Sequence, residues 1–165
     1  MMKHTCSNCG SEAHVERGNY VFKESGLKRV VLQGIELIRC PKCGNEDPII
    51  PRMNDLMRAL ALATVSKPYR LTGEELRFLR KYLGITAEQF AGLLHVDKTT
   101  ISKWETNDDP VGEQSDRLIR ATVVILGEGL QASQKQTVEK FPAIKSKPRH
   151  LGIQMDAKTL AYHYA

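Results

Sequence analysis

The chain has no apolar run long enough to cross a bilayer. Its longest apolar stretches, residues 59–65 and 123–126, fall well short of the ~20 residues that a spanning helix needs. Its first residues, Met1-Met2-Lys3-His4-Thr5, lack the apolar core of a signal peptide. Both absences point to a cytoplasmic protein with no membrane partner. Catalytic constellations are missing as well: there is no Ser/His/Asp arrangement, no paired carboxylates, and no thioredoxin-like βαβ context for a reactive dithiol. The chain is therefore expected not to be an enzyme. Charge of one sign is also scarce, with 24 Lys+Arg against 19 Asp+Glu giving a net +5 over 165 residues. Most of the excess lies late, where residues 128–165 carry 6 basic groups against 3 acidic ones, a weak lean towards a polyanionic partner.

Cysteine is rare too, and all four copies fall in two matched knuckles, Cys6-Ser7-Asn8-Cys9-Gly10 and Cys40-Pro41-Lys42-Cys43-Gly44. A two-residue gap lets one tight turn aim two thiolates at a single ion, and a tetrahedral metal wants four soft donors. The glycine after each second cysteine can take positive φ without steric cost. Two knuckles 30 residues apart read as one structural zinc site with Cys6, Cys9, Cys40 and Cys43 as ligands, one Zn2+ per chain. Disulfides, a dithiol redox pair and unrelated buried thiols are the competing readings. A reducing cytosol favours metal over disulfides. The segment is too short to build a large core alone, so a metal staple makes energetic sense.

Between the knuckles, residues 20–24 and 28–38 are rich in Val, Ile, Leu and aromatic residues, and Ser25-Gly26 separates them. This is a β-hairpin signal, with Gly34 as a bulge or close-approach point. The exposed apolar face of such a hairpin could fill a small core of its own or dock another protein. Two prolines in Asp47-Pro48-Ile49-Ile50-Pro51 end the module. A helix from Asn54 to about Ser66 follows, with Leu56, Met57, Leu60, Ala61 and Thr64 on one packing or dimer stripe.

From Leu71 the helix signals come quickly. Thr72 with Glu75 is a capping box opening a helix that buries Leu76, Leu79 and Leu83, and Thr86 with Gln89 opens a second through Leu94. His95-Val96 makes a turn, Asp97 caps a third helix from Lys98 to about Thr106, and a fourth runs from about Gly112 to Leu126. In the fourth, Leu118, Ile119, Thr122, Val123 and Leu126 are expected in the core. In the third, Ile101 and the chain's single Trp, Trp104, lie at i and i+3 and face inward. Lys98, Thr99, Thr100, Ser102 and Lys103 are left for solvent, and such side chains suit base edges and phosphates. An ordinary solvated helix face would show the same pattern. Four short helices with a tight link between the second and third suggest a helix-turn-helix domain. The fold class expected is α+β: a zinc-stapled hairpin module (1–50), a linker helix (51–68), an all-α helix-turn-helix domain of four to five helices (69–127), and a basic C-terminal tail (128–165).

Residues 83–105, Leu-Gly-Ile-Thr-Ala-Glu-Gln-Phe-Ala-Gly-Leu-Leu-His-Val-Asp-Lys-Thr-Thr-Ile-Ser-Lys-Trp-Glu, resemble an Xre/Cro-type helix-turn-helix. The amino-terminal half is similar to the YgiT-type zinc finger: Cys-x-x-Cys, Tyr20-Val21-Phe22, Val31-Leu32-Gln33-Gly34-Ile35, then Cys40-x-x-Cys43. That order of modules, over residues 1 to about 127, resembles the MqsA-family antitoxins of bacterial type II toxin–antitoxin systems. The resemblance implies that the zinc hairpin neutralises a cognate toxin, an RNase in the best-known pairs. It implies that the helical domain, as a homodimer, represses its own operon by binding double-stranded DNA at a palindromic operator. The alternative is a stand-alone zinc-containing regulator with no toxin partner. By the same resemblance Thr99 and Lys103 take recognition positions, with Lys98, Thr100 and Ser102 beside them, and Arg80 and Glu105 form a structural ion pair between the first helix and the third. Three positions depart from the family pattern. Ala87 stands where many members carry a phosphate-holding Gln, Asn107 replaces the usual Gly after Trp-Glu, and residues 128–165 extend past the usual end. That extension, with the basic, proline-broken Lys145-Ser146-Lys147-Pro148-Arg149-His150, reads as a loose tail or as an extra DNA or partner contact.

Overall fold

The computed structural model of the chain describes residues 4–165. The first three residues, on which part of the expectation about a signal peptide rests, lie outside the described residues. Among the described residues the fold is α+β, with a six-stranded sheet, a two-stranded sheet and six α-helices. No helix among them is long and apolar enough to cross a membrane. The chain divides into two compact units, one holding residues up to 23, 28–56 and 152–165, the other residues 24–27 and 57–151.

The first unit is built on two ten-residue strands. Strand β1 (His4–Thr5) pairs with the start of β2 (Glu12–Val21), and β2 pairs antiparallel with β3 (Val30–Arg39), from His14 opposite Arg39 to Val21 opposite Val31. The first long strand thus ends near where sequence reasoning starts it, at 20–24. Its middle alternates polar residues with small or half-buried ones, so it lacks an apolar signature. Gly34 is a bulge, as its place inside the strand suggested: Gly18 faces Ile35 and Tyr20 faces Leu32, leaving one extra residue on β3. The bulge has a consequence for packing. Val30, Leu32, Ile35 and Leu37 are all buried, although the step from 32 to 35 would put the two pairs on opposite faces of a regular strand. One extra residue at Gly34, at φ +67°, restores them to one face.

Strand β4 (Glu46–Ile49) pairs antiparallel with the second half of β3, which seats Pro48 on an edge, where its missing N–H costs little. Helix α1 (Met53–Val65) follows and buries Leu56, Leu60, Ala61 and Thr64. The second unit contains β5 (Tyr69–Arg70), α2 (Gly73–Tyr82), α3 (Ala87–Leu94), α4 (Lys98–Thr106), α5 (Glu113–Leu126), α6 (Gln134–Glu139) and β6 (Lys145–Pro148), which pairs parallel with β5. The first unit is completed by β7 (Ile153–Asp156), parallel to Val30–Gln33 of β3, and β8 (Tyr162–Tyr164), antiparallel to β7.

Two expectations are corrected. Residues 128–165 are not a loose tail: they form α6 and three strands, and Ile153 and Met155 are buried. The phase of α5 also differs. Its buried residues are Asp116, Ile119, Arg120, Val123 and Val124, whereas Leu118 and Leu126 are about half exposed. The helix is rotated by roughly a quarter turn from the apolar reading, because a charged pair occupies its inner face.

Candidate functional site

The two knuckles repeat one hydrogen-bond plan. The Gly10 and Gly44 amides donate to the Cys6 and Cys40 carbonyls at 3.0 Å, and the Cys6 and Cys40 amides donate to the Ser11 and Asn45 carbonyls at 2.9 and 3.0 Å. Gly10 and Gly44 sit at φ +69° and +72°, a left-handed turn that a β-carbon would strain. The sheet brings the knuckles face to face. Cys6 Sγ lies 3.5 Å from Cys43 Sγ, Cys9 Sγ lies 3.5 Å from Cys40 Sγ, and all four sulfurs lie within 4.8 Å of one another. None is in a disulfide. A tetrahedron with metal–sulfur bonds of about 2.3 Å has edges of about 3.8 Å, so the cluster can hold one metal ion with little adjustment.

The first cysteine of each knuckle is buried beside Ala13 and Ile38, and the second is exposed. Around the sulfurs, Asn8 Nδ2 donates to Cys43 Sγ at 3.7 Å, and Ser7 Oγ donates to Asp47 Oδ2 at 2.6 Å. Asn45 Nδ2 donates to both Ser7 Oγ and Asp47 Oδ2, so three polar side chains tie one knuckle to the other. The Cys9 thiol is lowered to about 6, chiefly by hydrogen bonds to the Ser11 side chain and amide and then by Cys43. A thiolate is the form a metal binds. His14 stands outside the cluster, paired with Glu16 at 3.8 Å.

The second unit places the helical candidates. Thr86 and Gln89 form the full reciprocal capping box at the start of α3, with Gln89 N to Thr86 Oγ1 at 3.1 Å and Thr86 N to Gln89 Oε1 at 2.8 Å. His95 closes α3 in the left-handed region, at φ 54°, and the Val96 amide donates back to Ala91 O at 3.0 Å. This aims α4 away from α3 within three residues. Asp97 holds the N-cap position of α4, yet its side chain makes no capping hydrogen bond. On α4, Ile101, Trp104 and Glu105 are buried, Lys98, Thr99, Ser102 and Lys103 are exposed, and Thr100 is half-buried. Among the described residues, Lys98 and Lys103 have only distant, solvated carboxylate neighbours, Glu88 at 3.9 Å and Asp109 at 3.8 Å.

Arg80 and Glu105 meet as a fork: Nε to Oε1 at 2.6 Å and NH2 to Oε2 at 3.1 Å, while Arg80 NH1 donates to Ile85 O at 2.9 Å. The Glu105 carboxylate raises the guanidinium's pKa further above its ordinary value. Arg77 joins the same carboxylate at 3.2 Å. The end of α4 carries a contact that sequence reasoning missed. Asn107 adopts φ 62°, and its Oδ1 accepts the Gly73 N–H at 2.8 Å. An asparagine here both closes α4 and caps the first amide of α2, which a glycine at this position could not do.

Also missed is a buried ionic network. Arg120, 1% exposed, donates all five N–H groups: to Asp116, to Val65 O at 2.7 Å, to Lys67 O at 2.8 Å and to Tyr69 O at 2.6 Å. Asp116 in turn accepts the Leu71 N–H at 2.7 Å. Lys67 is buried against Glu75 and donates to Arg149 O at 2.9 Å, and burial lowers its pKa. The only local signal was the i,i+4 spacing of Asp116 and Arg120, which surface pairs share. Compared with known proteins, the chain matches no protein-family model, no curated protein and no solved structure.

Proposed function

We propose that the chain is a zinc-clamped DNA-binding repressor of its own operon that also neutralises a cognate toxin in the cytoplasm, an RNase in the pairs it resembles. The observation that carries this reading is α4. Its outer face offers Lys98, Thr99, Ser102 and Lys103, while Ile101, Trp104 and the Arg80–Glu105 fork fix its inner face. In this reading α3, the His95 turn and α4 are a helix-turn-helix. Helix α4 enters the major groove with Thr99 and Lys103 on base edges and Lys98, Thr100 and Ser102 beside them.

The metal is zinc. A four-sulfur donor set with no open position suits a structural ion, which stabilises the fold and performs no catalysis. Absorption of the purified protein tests this: zinc thiolate is colourless and iron thiolate is not. The homodimer is supported by α5, where Leu118, Ile125 and Leu126 stand about half exposed on its outer side. A two-fold dimer would protect half-sites about 34 Å apart, or a multiple of that.

The test is to copurify the chain with the product of its genomic neighbour and to measure retardation of the upstream DNA. Lys103→Ala is expected to weaken that retardation by about 1–3 kcal/mol if it contacts a base. If the variant binds as tightly as the parent, α4 is not the reading element. If the neighbour fails to copurify while the DNA is retarded, the toxin half falls and the repressor half stands.

A further inference from the structure

The basic segment near the end of the chain is an ordered strand, and it belongs to the same compact unit as α4. Strand β6 pairs with β5, Lys145 opposite Tyr69 and Pro148 opposite Arg70. It is fixed at both ends: the Lys145 amide donates to Pro68 O at 3.0 Å, and the buried Lys67 ammonium donates to Arg149 O at 2.9 Å. Residues 145–150 are all exposed, and residues 140–155 contain no Asp or Glu. Among the described residues no carboxylate pairs with Lys145, Lys147 or Arg149.

Two of these cations are held on one aromatic platform. Lys145 Nζ lies 4.8 Å from the centre of the Tyr69 ring and Arg149 Cζ lies 5.4 Å from it. Both also donate to the Tyr69 hydroxyl at 3.2 Å. A phenol is a neutral partner, so it positions the two charges without cancelling them. Each cation keeps further N–H donors free, since an ammonium has three and a guanidinium five. The strand that β6 pairs with, β5, leads directly to the carboxyl end of α4. Arg70 of β5 donates to Val111 O at 3.0 Å, and Gly73, three residues on, donates to Asn107 at the end of α4.

A fixed row of uncancelled cations, with no carboxylate and no apolar anchor, complements a phosphate backbone better than a protein surface. We infer that Lys145, Lys147 and Arg149 form a second, sequence-independent DNA contact, gripping the sugar–phosphate backbone next to the α4 site. This inference rests on the DNA-binding reading above. It assigns a role to a segment beyond the span of the resemblance, and it assigns one chemistry, charge neutralisation.

The test uses the full zinc-loaded chain and a short random-sequence duplex, with affinity measured by fluorescence anisotropy over a salt series. Each phosphate neutralised contributes about 0.9 to the slope of log K against log salt. The triple variant Lys145→Ala, Lys147→Ala, Arg149→Ala is expected to flatten the slope by about 2.7. Over a fourfold rise in salt the parent then loses about 40-fold more affinity than the variant does. The loss should be similar on the upstream DNA and on the random duplex. A Lys145→Arg, Lys147→Arg variant should keep the parent slope, because the charge remains. Should the triple variant fail to fold, as judged by Trp104 fluorescence, Lys147→Gln alone decides, with an expected flattening of about 0.9.

Equal slopes in the parent and the folded variants overturn the inference. So does a variant that keeps its slope but loses the neighbour's product, which would assign the stripe to a protein. If the parent itself shows no salt-dependent duplex binding, the DNA-binding reading falls as well. If Lys103→Ala weakens DNA binding and the stripe variants do not, only the stripe falls.

Discussion

Replacing Arg120 by Met keeps the length and bulk of the side chain while removing five N–H donors from a site that is 1% exposed. Three backbone carbonyls, those of Val65, Lys67 and Tyr69, lose their partner at once, and Asp116 is left as a buried carboxylate holding only the Leu71 amide. Each buried acceptor left unsatisfied costs about 1–3 kcal/mol, and breaking one side of a buried ion pair costs about 3–5 kcal/mol. These overlap, because relaxation at the site reduces both together, so the expected loss for Arg120→Met is about 4 kcal/mol. That is a large share of a total stability of about 5–15 kcal/mol. Denaturant unfolding followed by Trp104 emission is the assay, and the chain's single Trp lies in the unit that contains Arg120. The pair Asp116→Asn, Arg120→Met removes the stranded charge and still accepts from Leu71 through the Asn oxygen. It should recover at least about 1 kcal/mol relative to Arg120→Met alone, a coupling of the size seen for groups in one network. A loss below about 1 kcal/mol, or a double variant no better than the single one, would refute the claim that this network holds residues 65–71 to α5.

Two further outcomes follow from local geometry. Cys40→Ser should take the metal content from one ion per chain to none, and hydrogen exchange should show the loss where the metal acts. Amides of Glu36–Arg39 and of Glu46, Asp47 and Ile49 lose protection, while Val30–Gln33, paired with β7, keep more of theirs; uniform loss across β3 would contradict it. Asn107→Gly keeps a residue at ease at φ 62° but removes the acceptor for Gly73, so it should cost about 1 kcal/mol. Asn107→Ala adds about 1–2 kcal/mol for the left-handed turn, and equal stability of Asn and Gly would show that the cap is idle.

The parts of the structure legible in the sequence are those whose cause is local. A Cys-x-x-Cys-Gly knuckle is made by five residues, and the reciprocal box of Thr86 and Gln89 by four. The inward Ile101 and Trp104 follow from helical spacing alone. What was not legible depends on residues far apart in sequence. The pairing of β7 with β3 joins segments more than a hundred residues apart, and Ile153 and Met155 are too few to announce a strand. The phase of α5 was misread for a related reason. Apolar residues are ordinarily assigned inward, yet Asp116 and Arg120 are drawn in by carbonyls on another segment, and Leu118 turns outward in exchange.

The return of the chain also changes what a metal held by the four cysteines would have to do. A two-stranded hairpin is marginal by itself, which made a staple at its base the natural account of the cysteines. In the folded unit β3 is secured at both ends. The four sulfurs gather at the Arg39–Cys40 end, where a bound metal would clamp it, and β7 and β8 extend the sheet beside Val30–Gln33. Val30, Leu32, Ile35 and Leu37 of β3 are buried, which answers half of the open choice between a core and a docking face. What remains exposed is on β2, where Val15 and Val21 stand 40% and 46% accessible. Beyond Ala13, β2 pairs through β3 alone among the described residues. If this unit grips a toxin, the free side of β2 and not the face of β3 is where the grip belongs, and the metal acts on it only through the register of Cys6–Cys9 against Cys40–Cys43.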